Sequence, residues 1–464
     1  MPDRTPSPGL YEYKKVVEPI TTTEVDLEHG IICLLSRLDF ADLNQFRMVY
    51  QIMEDDVMIF SGSSILPSIP ARTSKEIKIP YHLEEIQPVP GAEYYLNISY
   101  QLKENTPYAP AGYELATAQF RLPVYRKGIS YIPEGTLKVT KDHTTLRAEG
   151  ANFHIDFDLV RGNIISFVKD GMEVMRKGPR LTFWRAPISN DMELIDSMKK
   201  IYFLHLEHEV VMDLKYEEDG HFLKVTVKTI NGTTNSAWHF NTTYEYVVCP
   251  TGEVLIRVSG VPGGKRDDRR TVNLANGSSS NLVMGNRPGC APGMFPRIGV
   301  SMHLDSSMDH VRYFGRGPRE NYVDSKEAGL MGVYENTVDG LFTHYVVPQA
   351  NGNHMDCKWV SLTNDRGMGI VASTENSFNF SASFYEEEDL DRAKHICDLI
   401  KRDYIVFHID YKQNALGSYS CGQWQLDKYR VKNEPFCIQF RLTPFNNKEV
   451  PDKQIAHEKI EIDW

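Results

Sequence analysis

The residues best suited to chemistry are three amides and an imidazole in one short segment, PQANGNHMDCKW, residues 348–359. They are Gln349, Asn351, Asn353 and His354. Amide side chains both donate and accept hydrogen bonds, which suits the alternating hydroxyl groups of a sugar. The alternative is that the asparagines and the glycine only form a turn. The residues alone do not decide between a neutral-ligand site and a turn.

A second segment of similar character is ALGSYSCGQW, residues 415–424. It places Ser420 and Cys421 at a bend and Trp424 just beyond the bend. Small polar groups and aromatic rings in such loops are typical of sites for neutral ligands. A tight hairpin would use the same residues, so both interpretations stay open.

A third candidate, HLEH, contains His205, Glu207 and His208, residue types that bind metals. In a strand, His205 and Glu207 share one face and His208 points to the other. We therefore expect solvated strand residues rather than a metal site. The sequence also has no C-x-x-C pair, nucleophile elbow, P-loop or dinucleotide fingerprint, so it offers no support for those classes of chemistry.

The segment YFGRGPRENYVDSKEAG, residues 313–329, is dense in charge and in chain-breaking residues. Gly315, Gly317 and Pro318 disfavour both a helix and a central strand, so the segment is predicted to be a turn. Charged residues next to such a turn need partners if they are buried. We expect the turn to hold sheets and neighbouring domains in register through Arg316, Arg319 and Glu320.

The elements around these segments are short runs that mostly alternate apolar and polar residues, as strands with one buried face do. Between residues 21 and 124 they recur at about ten-residue intervals, the rhythm of an immunoglobulin-like sandwich. From 125 to 464 the same rhythm predicts a much larger antiparallel structure. The fold class predicted is therefore mainly β.

Two segments depart from this rhythm. Residues 1–20 contain four prolines and are predicted to be an extended connector. Residues 386–403, EEEDLDRAKHICDLIKRD, carry apolar residues at helical spacing and are predicted to form the one helix. No strand–helix–strand repeat is visible, so we expect no parallel α/β barrel in this chain.

Composition excludes several partners. The net charge of −11 disfavours nucleic acid. There is no run of about 18 apolar residues, so no membrane span is expected. The seven cysteines are scattered and odd in number, which predicts free thiols in a reducing compartment. Because the first residues also lack an apolar signal segment, a cytoplasmic protein is expected.

Taken in order, these segments resemble the C-terminal region of the β-galactosidases of glycoside hydrolase family two. Residues 313–329 resemble the family's G-R-G-P-x-E-N-Y-x-D-R-K turn, and FWRAPISND, 183–191, resembles another landmark of its terminal β-domain. Residues 1–20 look like the segment that leaves the catalytic barrel, and 21–124 like the second immunoglobulin-like domain. For 125–464 the resemblance implies a supersandwich similar to galactose mutarotase.

The resemblance implies the C-terminal part, or the small subunit, of an enzyme that hydrolyses terminal β-D-galactosides such as lactose. A retaining glycosidase needs two carboxylates about 5–5.5 Å apart, and in this family both come from an α/β barrel. Such a barrel is not expected here, so the chain should be inactive without a barrel-bearing portion or large subunit. The family's magnesium and sodium ligands likewise belong to the barrel, so we expect no cofactor in this chain. The resemblance also implies that the enzyme is an oligomer.

The resemblance further implies that the loop around Ser420 and Cys421 lines the aglycone side of the galactoside pocket, over the barrel's mouth. Some members of the family carry a tryptophan there as a platform for the sugar. Cys421 stands at the matching position and offers less stacking area, while Trp424 follows three residues later. We expect weaker binding of the leaving sugar as a result.

Two alternatives remain at this stage. A free-standing galactoside-binding module would bind sugar through the amide segment, at Gln349, Asn351, Asn353 and His354. A mutarotase-like isomerase would need a general acid and base facing one sugar, for which His354, His408 and Glu320 are candidates. This last idea depends on similarity of fold alone.

Overall fold

The computed structural model describes residues 1, 3–234, 236–264, 289–417 and 425–462. Its strands form two sandwiches along the chain. Within the described residues the named strands pair antiparallel, apart from the short parallel pair of β8 (Ser130–Tyr131) and β25 (Lys459–Ile460). The predicted mainly β fold class is confirmed.

The first sandwich packs a three-stranded sheet, in the order β1–β2–β5, against a four-stranded sheet, in the order β4–β3–β6–β7. Alternate residues of β3 (Phe46, Met48, Tyr50 and Ile52) are buried, as a half-buried strand requires. This is the two-layer arrangement of an immunoglobulin-like sandwich. Its strands are β1 (Ile20–Asp26), β2 (Ile31–Ser36), β3 (Phe46–Glu54), β4 (Val57–Ile65), β5 (Ser74–Lys78), β6 (Tyr94–Leu102) and β7 (Glu114–Arg121).

The second sandwich is built from a 16-stranded antiparallel sheet, folded around one large apolar core. Its main path runs β14–β15–β16–β17–β24–β22–β23–β18–β13–β12–β11–β10–β9, with β21 on β22, β19 on β21 and β20 on β19. The strands are β9 (Lys138–Lys141), β10 (Thr145–Glu149), β11 (Phe153–Asp158), β12 (Asn163–Lys169), β13 (Met172–Thr182), β14 (Glu207–Glu218), β15 (Leu223–Thr233), β16 (Trp238–Val248), β17 (Val254–Gly264), β18 (Arg297–Asp305), β19 (His310–Gly317), β20 (Leu330–Thr337), β21 (His354–Thr363), β22 (Met368–Ser383), β23 (Tyr404–Gln413) and β24 (Phe436–Asn446).

In the part of the chain that the structure describes, the helices are short, and two of them differ from the sequence prediction. They are α1 (Pro8–Val16), α2 (Val338–Leu341), α3 (Glu387–Arg392) and α4 (Asp452–His457). Helix α1 lies where an extended connector was predicted. The proline at its start explains the difference, since proline lacks only an N–H that a first turn leaves unpaired.

The single helix predicted over 386–403 is wrong. Helix α3 ends at Arg392, and only a 3-10 turn, Ile396–Asp398, follows. The carboxylate of Asp398 accepts hydrogen bonds from the backbone of Lys394 and His395 and so begins a new turn. Ile400 is 80% exposed, so the apolar stripe beyond Leu390 has no core to pack against.

The segment predicted to be a turn at 313–329 begins as strand β19, which continues through Gly315 and Gly317. The glycines permit close packing rather than a bend. A Cβ atom on Gly315 would overlap the sulfur of Cys357 and lie 3.0 Å from its Cα. A Cβ on Gly317 would lie 2.5 Å from the hydroxyl of Tyr313. The chain turns only after Gly317.

We expect the variant Gly315→Ala to lower the free energy of unfolding by about 1–3 kcal/mol, the usual cost of overpacking a core. Urea denaturation would measure this loss. Gly9→Ala is the matched control because nothing lies within 4 Å of a Cβ on Gly9, which is in α1. The control should be neutral or slightly stabilised. Equal stability of the two variants would contradict the close-packing explanation.

Polar side chains join the two sandwiches. The amide of Gln119 on β7 makes two hydrogen bonds with the backbone of Met331 on β20, both 2.7 Å long. Asp56 accepts from Arg312 at 2.5 Å and from Lys453 at 2.8 Å. These contacts orient the second sandwich relative to the first.

Candidate functional site

Four segments far apart in sequence meet where the chain reaches Gly417, the last described residue before 418–424. We call this place the loop base and define it by Arg185, Asn190, Asp324, Gln349 and Gly417. It is the part of the described structure where segments singled out from the sequence converge. Ser420 and Cys421, predicted to line a sugar pocket, and Trp424 lie outside the described residues.

Asp324 and Asn190 hold the backbone at the loop base from two sides. The carboxylate of Asp324 accepts hydrogen bonds from the backbone N–H groups of Leu416 at 3.0 Å and of Gly417 at 3.1 Å. The amide of Asn190 donates to the carbonyl of Gly417 at 3.0 Å. Hydrogen bonds to a charged acceptor are the stronger kind, so the position of residues 416–417 is well determined.

Arg185 holds the preceding residues from beneath. Its side chain is fully buried and donates to the carbonyls of Asn414 at 2.9 Å and Ala415 at 3.2 Å. Asp191 lies 3.6 Å from the guanidinium and balances its charge. Burial raises the pKa of Asp191, although Arg185 acts in the opposite direction. A buried arginine with these partners is costly to disturb.

Two of the predicted sugar-binding amides use their polar atoms within the protein. The side-chain oxygen of Gln349 accepts from the backbone N–H of Ser189 at 2.7 Å and from its hydroxyl at 3.0 Å. Asn351 accepts from the backbone of Thr343 at 3.0 Å and donates to the carbonyl of Gln349 at 2.8 Å. These bonds attach the amide segment to the segment that carries Asn190.

The other two predicted residues are inaccessible in this conformation. Asn353 is 0% and His354 is 1% exposed. The amide of Asn353 donates to the carbonyl of Asn321 at 2.8 Å, and the Nδ1 atom of His354 donates to the carbonyl of Gly352 at 3.0 Å. The structure therefore gives both side chains structural partners, while sugar binding by the four residues stays a prediction.

The burial of His354 has a consequence for stability at acid pH. Burial lowers its pKa to about 4. Between that value and the ordinary pKa the unfolded chain binds a proton that the folded chain does not. This contribution to stability is therefore present above the ordinary pKa and is lost as the pH falls. We expect a loss of about 2–3 kcal/mol from about pH 7.5 to about pH 4.5.

Denaturation of the wild type and of His354→Asn at both pH values would measure this contribution. The stability of the wild type relative to the variant should decrease on acidification, because asparagine does not titrate. A difference that is independent of pH would contradict a neutral buried imidazole.

The three charged residues singled out in the 313–329 segment, Arg316, Arg319 and Glu320, all have partners. Arg316 pairs with Asp356 at 2.6 Å. Glu320 is buried and accepts from the hydroxyl of Tyr345 and, at 2.7 Å, from the backbone of Gly352. Burial raises the pKa of Glu320. The carboxylates of Glu320 and Asp356 both contact protein groups, so neither is free in the way that a catalytic carboxylate is.

Helix α1 supplies the remaining partners of this segment. The guanidinium of Arg319 lies 3.4 Å from the ring centre of Tyr11, a cation–π contact. Glu12 accepts from the backbone N–H groups of Glu327 at 3.1 Å and Ala328 at 2.9 Å. These contacts supply a physical basis for the structural role predicted for the turn.

A buried charge cluster lies behind the loop base. Arg297 is 2% exposed and donates to Asp410 at 3.1 Å and to Glu387 at 2.6 Å. The second oxygen of Glu387 accepts from the backbone of Ala186 at 2.5 Å, which attaches α3 to the segment of Arg185. Burial raises the pKa of Asp410 to about 6, outweighing the opposite effect of Arg297.

His408 lies in this cluster, apart from His354 and Glu320, the other two residues considered as acid and base for a mutarotase-like reaction. His408 packs against Arg297, with its ring nitrogens 3.3–3.4 Å from the guanidinium. Glu320 contacts Gly352 in the amide segment, next to His354. No hydrogen bond or ion pair in the described part of the chain joins His408 to either of them.

The sequence did not indicate a role for Arg185, Asn190 or Asp324. One signal was available, because Arg185 directly follows the apolar run LTFW. A charge at the end of a buried run needs a partner. The loop base can position the backbone of residues 414–417. It offers no free carboxylate for chemistry, since the carboxylates of Asp324 and Asp191 both contact protein groups.

The described residues were also expected to lack a metal site and a membrane span and to contain free cysteines. Across the described ranges, no group of three or more His, Cys, Asp or Glu side chains is placed to hold a metal ion. No helix in those ranges is long and apolar enough to cross a membrane. The described cysteines are all free: Cys33, Cys249, Cys290, Cys357, Cys397 and Cys437.

Two family models match most of this chain. The family model described as "Beta galactosidase small chain" matches residues 149–442, more than half of the chain, and "Beta-galactosidase, domain 4" matches residues 32–123. Among solved structures, galactose 1-epimerase from Lactobacillus acidophilus has a TM-score of 0.32 at 10% identity, covering 68% of this chain and 99% of that one. That likeness bears on neither activity nor ligand.

The curated relatives are β-galactosidases. The one from Kluyveromyces lactis is 28% identical over 95% of this chain and 38% of its own length. The one from Actinobacillus pleuropneumoniae is 25% identical over 95% of this chain and 40% of its own length. The chain thus spans about two fifths of the curated relatives that it matches. Since the family model covers most of the second sandwich, this chain belongs to the β-galactosidase small chain family.

Proposed function

We propose that this chain is the non-catalytic C-terminal part of a β-galactosidase that hydrolyses terminal β-D-galactosides such as lactose. It supports the barrel-bearing portion and lends the loop after Gly417 to the aglycone side of the active site. The observation that carries the proposal is the loop base, where Asp324, Asn190 and Arg185 together hold residues 414–417. A loop that completes an active site needs such a rigid support.

The coverage of the relatives supports the division of labour. About three fifths of their length has no counterpart in this chain, and we place the two catalytic carboxylates and the magnesium and sodium sites there. The chain then works with that portion or with a large subunit, in an oligomer. The free thiols support a cytoplasmic location.

The direct test compares the purified chain with the chain combined with its barrel-bearing portion, using a chromogenic β-D-galactoside. The chain alone should leave the substrate intact, and activity should rise with the barrel portion until the two are equimolar. Steady turnover by the chain alone would overturn the proposal. If the barrel portion binds the chain but is equally active in its absence, the supporting role is wrong.

The role of the loop can be tested in the complete enzyme with Cys421→Trp. A tryptophan adds stacking area for the leaving sugar, so we expect KM for lactose to fall by about two- to tenfold. Cys397→Trp is the control, since Cys397 is exposed elsewhere on the surface. Unchanged kinetics with lactose, and unchanged inhibition by glucose, would show that the loop does not line the pocket.

A further inference from the structure

The second sandwich contains a cavity of about 430 Å³ that the proposed function does not use. We call it the sheet cavity. It opens between β13, β14, β18, β23 and the start of α3. The lining residues that matter here are Lys177, Trp184, His205, Glu207, Glu386 and Tyr404.

The HLEH motif contributes to this cavity. His205, Glu207 and His208 all line it, although the sequence suggested solvated strand residues pointing to opposite sides. His205 precedes β14, which begins with Glu207 and His208, and this end of the strand borders the cavity. All three residues of the motif therefore line one pocket.

One donor at the sheet cavity has no partner. Lys177 is half-buried and makes no ion pair or hydrogen bond with any described residue. A half-buried donor without a partner is costly, so an acceptor from a ligand would stabilise it.

The sheet cavity also contains a hydrogen-bond acceptor, Glu207. The carboxylate of Glu207 points inward, and its Oε1 atom accepts from the backbone of Phe183 at 2.5 Å, from the backbone of Trp184 at 3.0 Å and from the hydroxyl of Thr182 at 3.0 Å. Its Oε2 atom has no partner in the part of the chain that the structure describes. This oxygen is held in place and can accept from a ligand.

Aromatic surfaces flank the same space. The ring of Tyr404 stacks on His303 with centres 4.2 Å apart, and Glu386 holds this pair through the Tyr404 hydroxyl at 2.9 Å. Trp184 lies 5.8 Å from His205, between ring centres, and is only 5% exposed. The ring of Tyr404 is the surface that suits the C–H face of a ring-shaped polyol.

Most charged residues that line the sheet cavity have partners. Arg180 pairs with Glu209, Glu387 pairs with Arg297, and Glu386 contacts His303. Glu388 pairs with Arg392, and Arg402 pairs with Asp389. What remains is the cation of Lys177 and the carboxylate of Glu207. An ionic ligand would meet a like charge at one of them, whereas hydroxyl groups can accept from the first and donate to the second.

We propose that the sheet cavity binds a neutral hexose, with Lys177 as donor, Glu207 as acceptor and the ring of Tyr404 as stacking surface. Its volume lies in the range of small-molecule sites, roughly 300–1,000 Å³. The site is separate from the loop base and does not depend on the proposed hydrolase function.

Titration calorimetry of the full chain with D-galactose and with D-glucose tests this. At least one should bind saturably, with a dissociation constant on the order of 1 mM. The anion D-galacturonate should bind at least about tenfold more weakly. Lys177→Met and Tyr404→Ala should each weaken hexose binding about fivefold or more, while Glu218→Gln, an exposed position at the far end of β14, should bind like the wild type.

Thermal denaturation of each variant shows whether it is folded, and Lys177→Met decides the matter if Tyr404→Ala is not. No saturable heat with either hexose would overturn the proposal. So would binding that survives both cavity variants, or that is lost in Glu218→Gln instead. None of these results depends on hydrolysis, so they leave the proposed function to its own test.

Discussion

Replacing Arg297 with methionine should lower the free energy of unfolding by about 3–5 kcal/mol, the usual cost of leaving a buried charge without its partner. The variant would strand Asp410, which is fully buried, and Glu387, which is largely buried. Denaturation by urea would measure the loss. The loss should be smaller at about pH 5 than at about pH 8, because burial raises the pKa of Asp410 to about 6 and a protonated carboxyl needs no counter-ion.

Two further variants make this result specific. Arg161→Gln removes an arginine that is 79% exposed and pairs with Asp158, and it should cost no more than about 1 kcal/mol. Adding Asp410→Asn to Arg297→Met should recover part of the loss, since it removes one stranded charge. An equal loss in Arg161→Gln, or no recovery in the double variant, would show that the cluster is not the source.

Asp324→Ala in the complete enzyme should lower kcat/KM by about 100-fold, the scale expected when a positioned group shifts by about 1 Å. The substitution frees the backbone N–H groups of Leu416 and Gly417, so the loop beyond them loses its support. Thermal stability should change little, because Asp324 is only half-buried. Steady-state kinetics and a melting curve would measure the two effects.

Asp324→Asn should have an intermediate effect, since an amide keeps one of the two acceptor oxygens. Asp365→Ala is the control, because Asp365 is 95% exposed and lies away from the loop base. Full activity of Asp324→Ala in an enzyme that needs this chain would refute the positioning role, and with it the contribution of the loop to the proposed function.

Strand content was predictable because it depends on local alternation. In β3 the buried residues recur at every second position, and that pattern is visible in the sequence before any partner strand is known. The helices were less predictable. Residues 386–403 have helical spacing, but a stripe becomes a helix only if a core covers it, and Ile400 is exposed.

The candidate sites show the same limit more strongly. The loop base joins Asn190, Asp324, Gln349 and Gly417, and the sheet cavity joins Lys177 to Tyr404, across long stretches of chain. No local pattern records that such residues will be neighbours. The amides at 349–354 illustrate the converse, since their types suited a sugar but the fold uses their hydrogen bonds within the protein.

The amino-acid order alone determined that this protein is built of antiparallel strands in two sandwiches, because backbone alternation is a short-range property. It also carried, in ordered motifs, the resemblance to the β-galactosidases. Only the tertiary structure decided which polar groups are occupied and which remain available, such as the side chain of Lys177 at the sheet cavity. The physical reason is that hydrogen-bond satisfaction depends on partners from distant segments, and those are chosen when the sheets pack.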